Sequence, residues 1–252
     1  MGWPPPYETY EMDIRFFFEQ RLGFIKQLYI NGSAPFEQRM RKIEKGVRPF
    51  IPPYSEDGEP PFQLEWEEAD SSIQVLGSSC LSMISASLHI YLVAWQDRLG
   101  SAPDCTKAAF KNGWPAGYQA YYESHGSDKF DTGPFDYSLV SEIVLARNSI
   151  QHDDSLTSNT FRYRDSDLPK LPSPFFVSDR DKELAKQIGD GERDWLYPPH
   201  IHITKEKFLH MTSEISKLVE WLEKQGEQIL HKRWEERKRQ RQEAAENLEA
   251  GQ

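Results

Sequence analysis

Along most of this chain apolar residues recur every three or four positions, and that spacing predicts helices. The longest run starts near Phe62 and ends near Leu99, where Ile73, Leu76, Cys80, Ile84, Leu88, Tyr91, Trp95 and Leu99 keep the spacing throughout. Serines, Ala86 and Gly77 make part of its surface small, and its middle is apolar nearly all round, as in a central bundle helix. Gly100 offers a C-terminal cap. Upstream, a Pro-rich start at 1–7 gives way to a helix from about Glu8 to Tyr29. Phe17, Arg21, Phe24 and Leu28 lie near one face of it, thickened by Phe16, Phe18, Leu22 and Ile25. Asn31-Gly32 reads as its stop, and a shorter helix follows from Pro35 to Lys45, closed by Gly46. Residues 47–61 are dense in proline and read as loop.

The second half repeats the pattern with one interruption. Residues 101–133 read as a polar connection with a short helix near Ala116 to Glu123, whose Tyr118, Tyr121 and Tyr122 can cover the bundle edge. A helix then runs from Pro134 or Phe135 to His152. Over 155–203 the periodicity fades and proline returns. Phe161–Arg164, Phe175–Val177 and Ile201–Thr204 look like short strands, so this stretch reads as an excursion with a small β-hairpin. Thr204 caps a last long helix whose apolar face holds Phe208, Met211, Ile215, Leu218, Leu222 and Ile229. Beyond about Leu230 the stripe vanishes, so 231–252 should be an exposed charged helix. The fold class expected is all-α: one domain, an up-and-down bundle over about 8–152 and 204–230.

Composition narrows the function classes. The chain has 252 residues, 38% apolar and 28% charged, which suits a soluble globular protein. No run of 18 apolar residues and no secretory leader is read, so neither a membrane span nor export is expected. Cys80 and Cys105 form no framework, which fits a reducing cytoplasm. The net charge of −10 argues against general coating of nucleic acid and leaves room for a local basic cleft. Residues 232–241 carry six basic and two acidic side chains, most simply an exposed helical face. His89 reads as a structural histidine. His200-Ile201-His202 puts two imidazoles on one strand face, without a clear third metal ligand. No P-loop, GxGxxG, GxSxG or HExxH occurs.

One stretch carries chemistry. In 142–154 Ile143, Ala146 and Ile150 form an apolar helical face that Arg147, Asn148 and His152 interrupt near its C-terminal end. An arginine in such a helix must be paired, open to a cleft, or used. RNA is cleaved without metal when its own 2′-hydroxyl attacks the adjacent phosphate. A histidine can then move the proton, and an arginine can hold the phosphate and stabilise charge on its oxygens. Asn148 and His152 are four apart and share a face, so the amide can orient the imidazole. Arg147 and His152 are five apart, roughly 140° around a helix at about 100° per residue. They converge only if the helix ends near Gln151 or a second subunit completes the site.

The arrangement Arg147-Asn148-x-x-x-His152 closely resembles the signature of the HEPN superfamily, RxxxxH with a polar residue after the arginine. By motif the resemblance covers 142–154; the excursion and the basic tract are departures from it. It implies an all-α bundle and a homodimer in which both motifs line one cleft. It implies a metal-independent, cofactor-free endoribonuclease with Arg147, Asn148 and His152 as its catalytic residues, acting on RNA and leaving a 2′,3′-cyclic phosphate. Many such proteins are cytoplasmic toxins or antiviral defence effectors, which implies a neutralising protein partner. Two bland readings stand beside it. Arg147 can pair with a carboxylate such as Glu67 or Glu142, and His152 can cap its helix. The alternative function is a non-catalytic HEPN-like module that binds RNA or a protein; a scaffold pairing through the C-terminal helix is a third.

Overall fold

The computed structural model describes residues 13–54, 60–101, 103–152, 160–188 and 199–250. The fold is all-α, as the periodicity predicts. Its helices are α1 (Ile14–Glu44), α2 (Gln63–Leu99), α3 (Lys107–Phe110), α4 (Trp114–Ser124), α5 (Tyr137–Gln151), α6 (Asp179–Ile188) and α7 (Lys205–Ala250). They build two compact units, each discontinuous in sequence. One unit comprises the described parts of 1–19, 88–137 and 214–252, and the other comprises 20–87 and 138–213.

The first unit is organised by aromatic rings and one acceptor. Glu223 Oε2 accepts from Tyr91 Oη at 2.5 Å and from Trp95 Nε1 at 3.1 Å, so two large buried side chains of α2 keep their polar atoms satisfied. Gly226 of α7 lies flat against the Trp95 ring, where a Cβ would sit 2.3 Å from Cζ3. The three tyrosines of α4 are buried rather than edge cover, and Tyr121 donates to the Gly100 carbonyl at 2.6 Å. Gly100 caps α2 at φ +95°, and Arg233 donates to the Leu99 carbonyl at 2.6 Å, a cation at the negative helix end. Among the residues of α7 up to 247, Ile229 is the last buried apolar one; beyond it that stretch presents a largely exposed, charged surface.

The second unit corrects the expected break in α1. The helix runs through Asn31-Gly32, with Pro35 inside it. Gly32 serves a close approach instead of a stop, because a Cβ there would lie 2.8 Å from Leu76 Cδ2. Tertiary packing overrides the local breaker signal. The buried apolar α1 side chains of this unit are Leu22, Ile25 and Tyr29, while Phe24 and Leu28 of the expected face are 61% and 48% exposed. Tyr29 stacks on Phe208 with centroids 4.0 Å apart. Gly77 lets Ile203 approach α2, and Gln74 Oε1 accepts from the Ile203 amide at 2.8 Å.

The excursion makes isolated bridges and no strand among its described residues. Ile201 sits between two extended partners. His200 bridges Arg162 and Ile201 bridges Val177, both antiparallel. The three apolar stretches named from sequence therefore do meet, with Ile201 and its neighbours between the other two, through isolated bridges rather than a hairpin. Helix α6 was not expected, since it has few apolar residues. Its start is marked by Ser178, whose Oγ accepts from the Asp181 amide at 3.0 Å.

Among the described residues α2 alone holds a window long and apolar enough to cross a membrane, at mean hydropathy 1.4, where the sequence reading expects none. Of that window 56% is buried within the fold, as in a core helix.

Candidate functional site

Helix α5 buries Leu139, Val140, Ile143, Val144 and Ala146, which is why this stretch is helical and fixed. Its polar residues divide sharply. Glu142 is 4% exposed, and its carboxylate accepts three hydrogen bonds from the excursion: Tyr163 Oη at 2.5 Å, the Phe175 amide at 2.8 Å and the Phe176 amide at 2.9 Å. Burial pushes the Glu142 carboxyl up, while those donors and Lys182 pull it back down. The same burial, with the facing Glu142, drives the Tyr163 phenol well above its ordinary value, so it stays a donor. Glu142 is thus the clasp that holds the excursion to α5.

The three residues named from sequence lie at the other end. Arg147 and Asn148 are half-buried in the last turn, and Arg147 Nη1 donates to Asn148 Oδ1 at 3.0 Å. The helix ends at Gln151, so His152 stands exposed in the turn that follows. Among the described residues Arg147 makes no ion pair with either carboxylate considered for it: Glu142 accepts from the excursion, and Glu67 accepts from Gln63 at 2.7 Å. A further guanidinium reaches the same turn, with Arg164 Nη2 donating to the Asn148 main-chain carbonyl at 3.3 Å. Asn148 therefore links Arg147, through its side chain, to Arg164, through its backbone.

The same unit carries a cleft of about 1220 Å³, which Arg162 lines but Arg147, Asn148 and His152 do not. Trp66, Asp70, Arg162, Asp179, His200 and Lys207 are among the residues that line it. Trp66 is fixed by donation from Nε1 to Glu44 at 3.0 Å. His200 is also held, since Asp181 Oδ2 accepts from its amide at 3.0 Å and sits 3.2 Å from Nδ1. The His200–His202 pair separates accordingly: one imidazole pairs with Asp181, and burial holds the other, His202, below the ordinary histidine value. Lys207 Nζ donates to the Val177 carbonyl at 2.8 Å and ties the bridge region to α7. Burial, and then Lys182, lower its pKa.

Sequence reasoning missed Glu142, Tyr163, Arg164 and Asp181. One signal was available. In Arg162-Tyr163-Arg164 the exposure runs out–in–out, the alternation of an extended segment with two cations on one face. No family model, no curated protein and no solved structure matches this chain.

Proposed function

We propose that this chain is a metal-independent endoribonuclease of the HEPN type, working as a homodimer, with Arg147, Asn148 and His152 as its reacting groups. The observation that carries the reading is the end of α5. The helix stops one residue before His152, which relaxes the angular mismatch of a continuous helix, and Arg147 is turned onto Asn148 instead of a bundle carboxylate. A guanidinium so held is preorganised to take a phosphate bidentately. An exposed imidazole at the helix end can exchange protons with solvent and substrate. In this reading Arg147 grips the scissile phosphate, Asn148 fixes the guanidinium, and His152 moves a proton as the 2′-hydroxyl attacks.

The test is cleavage of a mixed RNA pool in EDTA by wild type, Arg147→Ala and His152→Ala. Cleavage by wild type alone, leaving 2′,3′-cyclic phosphate ends, is the expected result; loss of a proton-transfer group costs about 10²–10⁴ in rate. Equal cleavage by all three removes the site assignment. Absence of cleavage by folded wild-type dimer, with RNA still bound, moves the reading to a non-catalytic RNA-binding module of the same type.

A further inference from the structure

The residues 161–164 run past both the end of α5 and the cleft. The segment is extended and paired: the Tyr163 amide donates to the Pro199 carbonyl at 3.1 Å, and the Ile201 amide to the Phe161 carbonyl at 2.8 Å. Tyr163 points inward to Glu142, so Arg162 and Arg164 share the outer face, where both are exposed. Residues two apart on an extended chain are separated by about 6.7 Å, at roughly 3.3–3.4 Å per residue. That is close to the separation of successive phosphates along a single strand. Arg164 reaches the turn that holds Arg147, and Arg162 lines the cleft.

The geometry points to a single-stranded RNA track on this face, with Arg164 and Arg162 taking successive phosphates that flank the one at Arg147 and leading the strand to the cleft. The inference rests on the reading of Arg147 as a phosphate-binding residue. Charge decides what enters the cleft. The lining mixes four carboxylates, Asp70, Asp179, Asp181 and Glu206, with Arg162, Arg180 and Lys207, so the backbone is held at the arginine face by Arg162 at the edge of the cleft, and a base facing inward meets acceptors. Carboxylates accept hydrogen bonds from ring amino groups. The half-buried Trp66 ring, held by Glu44, offers a face for stacking. Arg162 and Arg164 are thus substrate-binding residues outside the motif.

A structural role competes for Arg164, because a cation on the last carbonyls of a helix stabilises it. Substitution separates the two when read with urea unfolding: Arg164→Gln removes the charge, and a phosphate contact predicts a lower salt slope in a variant whose unfolding midpoint stays at the wild-type value. The measurement is binding of a mixed-sequence 2′-O-methyl single-stranded RNA, which cannot be cleaved, to the intact chain by fluorescence anisotropy across a salt series. The expected result is a fall of about 0.7 in the slope of log K against log salt for Arg162→Gln and again for Arg164→Gln, and about 1.4 for the double variant. Arg164→Lys should recover most of the slope. Wild-type slopes in the glutamine variants, or no binding by wild type, overturn the track. If binding depends on both arginines while no variant or wild type cleaves RNA, the track stands and the ribonuclease reading fails. If wild type cleaves and the slopes do not change, the reverse holds.

Discussion

Glu142 and Arg147 lie five positions apart on α5, and the fold treats these two charges in opposite ways. The carboxylate is buried and receives three donors from a segment about twenty to thirty residues further along the chain. The guanidinium is half-buried and spends a donor on its own neighbour, Asn148. A buried carboxylate that accepts three hydrogen bonds from another segment is a structural clasp, since removing it strands the donors. Among the described residues the guanidinium's hydrogen bond is to its own neighbour, next to an exposed histidine, which is the arrangement the proposed reading uses. The difference teaches that a charged residue on an apolar helix is not itself a functional signal; what its partners leave unused is.

The largest expected effect lies at the clasp. Glu142→Ala leaves a phenol and two amides without their acceptor, and it should cost about 3 kcal/mol of stability or more, at about 1–3 kcal/mol for each buried group left unpaired. Urea unfolding with a stability loss below about 1 kcal/mol would mean that water or another acceptor replaces the carboxylate. At the other end, Arg147→Ala should leave the unfolding midpoint close to wild type and, on the proposed ribonuclease reading, cut RNA cleavage by about 10²–10³, roughly 2.7–4 kcal/mol of barrier. If Arg147→Ala instead destabilises the fold as much as Glu142→Ala does, the contrast between the two ends collapses and Arg147 is structural as well.

Much of this architecture is legible in the sequence, for a physical reason. The stripes of α2 and α7 repeat over many turns, so one misplaced residue does not hide them. Local signals misled where packing competes. Gly32 looks like a helix stop, yet it is the contact that lets α1 approach Leu76. Helix α6 has a capping serine and acidic first turn but little apolar face, so periodicity passed over it. At the site, Arg147, Asn148 and His152 stood out because they interrupt an apolar run. Glu142 interrupts it equally, and its role was invisible because its partners, Tyr163, Phe175 and Phe176, are distant in sequence. A helix face can be read locally; the satisfaction of a buried charge cannot.

A middling effect separates the clasp's parts. Tyr163→Phe removes one of the three donors to Glu142 and leaves the ring packing intact, so it should cost about 1–2 kcal/mol in urea unfolding. RNA cleavage should persist at the wild-type rate at temperatures where the variant stays folded. Loss of cleavage in a fully folded Tyr163→Phe chain would show that the clasp also positions the turn that carries Arg147, through Arg164 and the Asn148 carbonyl.

The smallest effect is a pH dependence, and its sign differs between two groups of the same unit. Glu142 has a raised pKa in the fold, from burial against opposing hydrogen bonds. The folded state therefore binds its proton more tightly than the unfolded chain does. Its contribution to stability is fully present below the ordinary carboxylate range and is lost as pH rises through the raised value. His202 is lowered, chiefly by burial, so its contribution is present above the ordinary histidine value and is lost as pH falls through the lowered one. Stability measured against pH for wild type minus Glu142→Gln should fall with rising pH in the acid window alone. The same difference for His202→Gln should rise with pH, in a window that begins below neutrality. The Glu142 slope should be shallow, because the three donors and Lys182 oppose the burial that raises it. A steep slope of the same sign would mean that the hydrogen bonds do little to hold the charge. A slope of opposite sign would mean that they overcome burial altogether, making Glu142 a stabilising anion rather than a tolerated one.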